Sequence, residues 1–111
     1  MKINNFENYV VLEDDRGDLV KFAKFLESQI PNKFKGQNVV VDLGAFNDLE
    51  LDGLLSYLKV SNKHRATKQS FVIVNSAFNV DDIPFEMIVV PTLQEAADII
   101  EMEEIERDLG F

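Results

Sequence analysis

The side chains best placed to do chemistry are acidic, and they collect just after two apolar stretches. Asp14 and Asp15 follow VVLE, Asp42 closes VVVD, and Asn47, Asp48, Glu50 and Asp52 come soon after it. Carboxylates in such groups can ligate Mg²⁺ through oxygen or work as an acid–base pair. They can also present fixed negative charge to a partner protein. Each has a plainer role as well. An acid in the first turn of a helix is favoured by the helix dipole by ~0.3–1 kcal/mol on any fold, and Asp48 suits an N-cap. His64, the sole histidine, has no acid or nucleophile near it in sequence and reads as a solvated helix-end residue. The chain has no Gly-rich phosphate loop, nucleophile elbow or His-based metal motif. No catalytic residue, metal ligand or cofactor is therefore expected, and the chain does not read as an enzyme.

The elements that carry the second acidic group lie in one stretch, VVVDLGAFNDLELDGLLSYL, from Val39 to Leu58. Val39 to Leu43 has the mostly β-branched run of a strand covered on both faces. Gly44 punctuates it, and Asn47 and Asp48 supply turn and N-cap chemistry. Leu51, Leu54, Leu55 and Leu58 recur at helical spacing and predict a buried stripe. A strand feeding a helix is half of a βαβ unit, and ligands or partners of open α/β sheets meet the carboxyl ends of the strands. The turn carrying Asp42, Asn47, Asp48, Glu50 and Asp52 is thus the expected functional region.

The remaining elements come in order along the chain. Lys2–Phe6 and Asn8–Glu13 predict strands, with Asn4, Asn5 and Asn8 allowing a small hairpin. Asp14, Asp15 and Asp18 crowd the start of a helix whose stripe is Leu19, Phe22, Ala23, Leu26 and Ile30, and Pro31 is expected to stop it. Residues 33–37 read as a polar connection. Ser70–Asn75 predicts a strand, residues 75–85 a loop, and Met87–Val90 a strand ended by Pro91. Thr92 to Glu95 spells a capping box, opening a helix that buries Leu93, Ala96, Ala97 and Ile100. Its tail, Glu101, Glu103, Glu104, Glu106 and Asp108, opposes the dipole and predicts fraying beyond about Glu104, with residues 105–111 loose. Phe22, Phe25, Phe71 and Phe85 read as core.

Composition bounds the function. A chain of 111 residues with 46% hydrophobic content reads as one α/β domain spanning 1–111 that buries ~60–70% of its surface on folding. Having no cysteine, it cannot use disulfides or thiolates, which suits a reducing cytoplasm. Neither a signal peptide nor the roughly 18 apolar residues of a membrane span is present, so a cytoplasmic domain without membrane insertion is expected. The net charge of −9, from 20 acidic and 11 basic residues, opposes nucleic-acid binding. The basic cluster Lys59, Lys63, His64, Arg65 and Lys68 reads as complement to a helix C-terminus, with no interleaved aromatics to stack on bases.

The order β(β)αβαββα around one mixed sheet with helices packed against it resembles the STAS domain. That module occurs in bacterial anti-sigma factor antagonists, stressosome proteins and the cytoplasmic tails of sulfate transporters. The resemblance spans nearly the whole chain and rests on the Val39–Leu58 stretch and on MIVVPTLQEAADII. Asp42 and Leu43 match the family's strand end, and Gly53 and Leu54 its helix opening. Glu50 stands where the family usually has Asp, and Leu51 and Asp52 stand where it has two serines, the second its phosphorylation site. The resemblance implies a STAS-like sandwich and a non-catalytic regulatory module of bacterial signalling. Its partner would be an anti-sigma factor or kinase, or another STAS protein. The contact would involve Asn47, Asp48, Glu50, Asp52, Gly53, Ser56 and Lys59, with Asp52 a permanent but partial stand-in for phosphoserine. The short link over residues 75–85 departs from the family, which commonly has a helix there.

A second resemblance is to response-regulator receivers, in which Asp14 and Asp15 would hold Mg²⁺ and Asp42 would accept phosphate. Two departures weigh against it. Residues 15–39 leave room for one helix but not the receiver's helix–strand–helix, and Val90-Pro91 stands where a receiver has Lys-Pro.

Overall fold

Residues 10–12, 39–41 and 71–74 are buried whichever face of the sheet they point to, which explains why these central runs are almost wholly apolar. The computed structural model describes residues 1–78 and 80–110. Its elements are β1 (Lys2–Asn5), β2 (Val10–Glu13), α1 (Leu19–Lys33), β3 (Val39–Asp42), α2 (Leu51–Leu55) and α3 (Leu58–Arg65). They continue with β4 (Phe71–Val74), a 3₁₀ turn (Val80–Asp82), β5 (Ile88–Val90) and α4 (Leu93–Asp108). The five strands lie in one sheet in chain order. β1 runs antiparallel to β2, and β2 through β5 are mutually parallel, with Val40 registered on Val11 and Val72. Chain-order neighbours joined by crossovers of one hand put the connecting helices on the same side. On that side Val10, Leu12, Val39, Val41, Phe71 and Ile73 meet α1, α2 and α3. On the other, Val11, Val40, Val72 and Val74 meet Ala96 and Ile100 of α4. Each fully buried valine or leucine contributes roughly 1.5–3 kcal/mol, so the two layers together dominate folding.

The fold is the expected mixed sheet with packed helices, and β3 is interior as its composition requires. Several local expectations are corrected. Pro31 does not stop α1, which continues to Lys33. Proline removes the bond to the carbonyl four residues back and crowds that carbonyl, yet other bonds close this last turn. The Phe34 N–H closes the helix on Ile30 O, and Asn32 Nδ2 donates to Ser28 O at 2.7 Å. Phe34, placed by sequence in a polar connection, is buried.

The second helix is two helices. Bonds from Ser56 N to Gly53 O and from Tyr57 N to Leu54 O tighten the chain between α2 and α3. Tightening to three residues per turn rotates α3 relative to a continuous helix. The core-facing residues become Leu54, Tyr57, Val60, Ser61 and His64. Leu51, in the first turn, is 40% exposed, and Leu55 and Leu58 are half-buried.

His64 is a buried residue, not a solvated one, at 4% exposure. Its Nε2–H donates to Gln37 O at 2.6 Å, and its ring stands edge-on to Phe71. Burial holds its pKa below the ordinary value, because charging the ring would strip solvation from a cation. Phe22 and Phe71 are core as expected, but Phe25 and Phe85 are exposed, the latter almost completely.

In α4, Thr92 caps through Glu95 N, whereas the Glu95 carboxylate meets the Thr92 hydroxyl, so the capping box is only half formed. Leu93 is exposed. The helix does not fray at Glu104 but runs to Asp108. Long-range contacts outweigh the dipole term: Asn8 Nδ2 donates to Glu104, Arg65 pairs with Glu103 at 3.0 Å, and Arg107 donates to Ser70 and Asn38. Among the described residues no helix is long and apolar enough to cross a membrane.

Candidate functional site

The turn after β3 is built from inside outward. Leu43, Leu49 and Leu54 are buried and pull the segment onto the sheet. Phe46 N donates to Leu43 O at 3.0 Å, and Leu49 N to Phe46 O at 3.4 Å. Asn75 adds a second donor to each of these two carbonyls. It is 4% exposed, and its Nδ2 donates to Leu43 O at 2.9 Å and to Phe46 O at 3.1 Å. Its Oδ1 accepts from Ala77 N at 2.8 Å, which folds the chain leaving β4 around the same side chain. Truncating a buried bridge of this kind removes the second donor to both carbonyls and leaves the Ala77 N–H without its acceptor, at about 1–3 kcal/mol.

The neighbouring acidic turn, after β2, is fastened to this one. A Cβ on Gly53 would lie 2.6 Å from Leu19 Cδ2 and 3.0 Å from Leu49 Cδ1, so α2 approaches the start of α1 as closely as glycine allows. Tyr57, fully buried, donates its hydroxyl to Leu19 O at 2.8 Å. Burial, with help from the Asp14 and Asp18 carboxylates, pushes the Tyr57 phenol far above its usual pKa and keeps it neutral. The two acidic turns therefore form one rigid edge at the carboxyl ends of β2 and β3.

On that edge Asn47, Asp48, Glu50, Asp52 and Lys59 are exposed, and Gly53 and Ser56 are half-buried. Asp48 is not the N-cap. Glu50 occupies that position, in extended conformation and without a side-chain cap bond. None of Asp48, Glu50, Asp52 and Lys59 enters an ion pair among the described residues. The Ser56 hydroxyl is turned back onto Gly53 O at 2.5 Å, so it is engaged within the helix. The break at Ser56–Tyr57 also places Asp52 and Lys59 on different helices, where an unbroken helix would put them on one face.

The residues of the receiver resemblance serve other ends here. Asp14 accepts from Arg16 N and Asp18 N, organising the turn into α1, and Asp18 caps that helix through Lys21 N. Asp15 lies 2.8 Å from the Met1 ammonium, a hydrogen bond that holds its carboxyl below the usual range. Asp42 accepts from Gly44 N at 2.9 Å. Among the described residues no three acidic or histidine side chains converge as a metal-ligand set. A surface cleft of about 410 Å³ opens beside Asp14, Asp18, Lys21, Phe22 and Phe25 rather than at Asp52.

Sequence reasoning missed Asn75 and Tyr57. Asn75 comes directly after the buried run FVIV, and an asparagine closing such a strand is a turn former whose amide must be satisfied. Tyr57 sits three residues beyond Leu54, so a wider apolar stripe would have included it. No protein-family model matches the chain, and no curated protein matches it.

Proposed function

We propose that this chain is a STAS-like, non-catalytic regulatory module that binds a protein partner through the turn Phe46–Gly53 and the exposed side of α2. The observation that carries the reading is the contrast within that turn. Its backbone is held by Asn75, Leu43 and Leu49, while Asp48, Glu50 and Asp52 stand exposed and, among the described residues, outside any ion pair. A rigid backbone bearing solvated charge loses little entropy on binding and selects partners by complementarity. The sheet order, with an antiparallel first strand and parallel strands thereafter, supports the STAS resemblance. So does the position of Asp52, in the first turn of the helix that follows the interior strand.

In this reading Asp52 is a permanent negative group where relatives carry a serine that is switched by phosphate. The partner belongs to the anti-sigma factor or kinase class, or is another STAS protein. The endogenous complex, isolated and identified by mass spectrometry, supplies the partner for a binding isotherm. Asp52→Ser is expected to shift partner affinity several-fold while changing stability by no more than ~1 kcal/mol. Unchanged binding together with a clear loss of stability would leave Asp52 a helix-start residue and refute the assignment.

A further inference from the structure

α4 has two apolar faces, and the fold uses only one. Ala96 and Ile100 pack on the sheet, and Glu103 and Arg107, half-buried, extend the same side toward α3 and the start of β3. Met102, Ile105 and Leu109 recur at helical spacing on the opposite side. They are 57%, 54% and 67% exposed. A helix needs one stripe to hold itself to its sheet, so a second stripe on the far side is surplus to folding. Glu101 and Glu106 flank it on either side and Asp98 lies one turn before Met102 on the same line, all three outside any ion pair among the described residues.

We infer that this outward stripe is a docking surface for a basic amphipathic helix of a partner protein. The charge pattern selects the occupant. An apolar seam bordered on both sides by carboxylates is complementary to a helix with leucine-type residues on one face and lysine or arginine beside them. A second copy of this chain would set acidic borders against acidic borders, on a molecule already at −9, which disfavours self-association. A lipid surface is the wrong match too, since interfacial helices carry basic rather than acidic flanks. The surface lies on the opposite side of the sheet from α2, so it is independent of the Asp52 turn.

The probe is a synthetic peptide of about 18 residues, leucine and lysine patterned as an amphipathic helix, titrated into the full chain by calorimetry. Two control peptides accompany it: the same composition scrambled, and a leucine–glutamate version of the same pattern. The patterned basic peptide is expected to bind, and the scrambled and acidic peptides to bind at least about tenfold more weakly. Met102→Ser with Ile105→Ser should weaken binding about tenfold or more. Glu101→Gln with Glu106→Gln should weaken it several-fold and flatten its salt dependence. All four positions are exposed, so circular dichroism melts should be unchanged, and Asp52→Ser should bind the peptide like the parent. Equal binding of the scrambled peptide, or indifference to the serine pair, would overturn the inference. So would loss of binding in Asp52→Ser, or a concentration-dependent dimer in sedimentation that the serine pair abolishes.

Discussion

Each end of the sheet is fastened by a buried asparagine, and the two ends differ in what surrounds it. At the amino ends of the parallel strands Asn38 donates to Asn8 O and accepts from Ser70 N and Arg107. Around it the charges are paired or hydrogen-bonded, through Arg65–Glu103, Asn8–Glu104 and Arg107–Ser70. At the carboxyl ends Asn75 holds the turn after β3, and the carboxylates above it face water. The same device thus closes one end and presents the other. At the carboxyl ends Asp15 is paired with the Met1 ammonium, whereas Asp48, Glu50 and Asp52 lie outside any ion pair among the described residues.

The largest loss is expected at the closed end. Asn38→Ala removes the acceptor of a buried amide, the donor to a carbonyl and a partner of Arg107 at once, and should cost about 2–4 kcal/mol in denaturant unfolding. A cost under about 1 kcal/mol would mean that water replaces these bonds freely. Asn75→Ala should cost less, about 1–3 kcal/mol, because the turn can relax outward. Its distinguishing readout is hydrogen exchange, which should speed up at the Phe46 and Leu49 amides while the β3 amides stay protected.

The smallest effect is on pH. Burial lowers the His64 pKa, so the folded state binds that proton more weakly than the unfolded chain, whose pKa is ~6.5. The stability it contributes is fully present above pH ~6.5 and is lost as pH falls through that value toward the folded pKa. Melting temperature should therefore drop between about pH 7.5 and 5 by more in the parent than in His64→Gln, whose amide still reaches toward Gln37 O. Parallel pH curves for the two would show that His64 is freely solvated.

The strands and the sequence of elements along the chain were legible because apolar runs bounded by Gly, Pro and Asn leave few alternatives. The acidic turn was legible for the same reason, lying between VVVDL and a helical stripe. The features that were missed depend on partners distant in sequence. His64 was placed in solvent because its acceptor, Gln37 O, and its neighbour Phe71 adjoin it only in the folded sheet. α4 was expected to fray because a dipole term can be read locally, whereas the contacts of Glu103, Glu104 and Arg107 cannot. Leu58 was misplaced by assuming one continuous period across Ser56–Tyr57, where the helix tightens, and Leu51 because it opens the first turn of α2.

Chain-order strand pairing also shapes how the molecule is made. During synthesis each strand from β2 to β5 finds its neighbour already present, and the helices that cover one face emerge between the strands they protect, so this half can assemble as it appears. The opposite face has no such escort. Val11, Val40 and Val72 stay bare until α4, the element after all five strands, has been translated. For that interval the nascent chain carries an uncovered apolar sheet face, a surface open to chaperones and to association with another nascent copy.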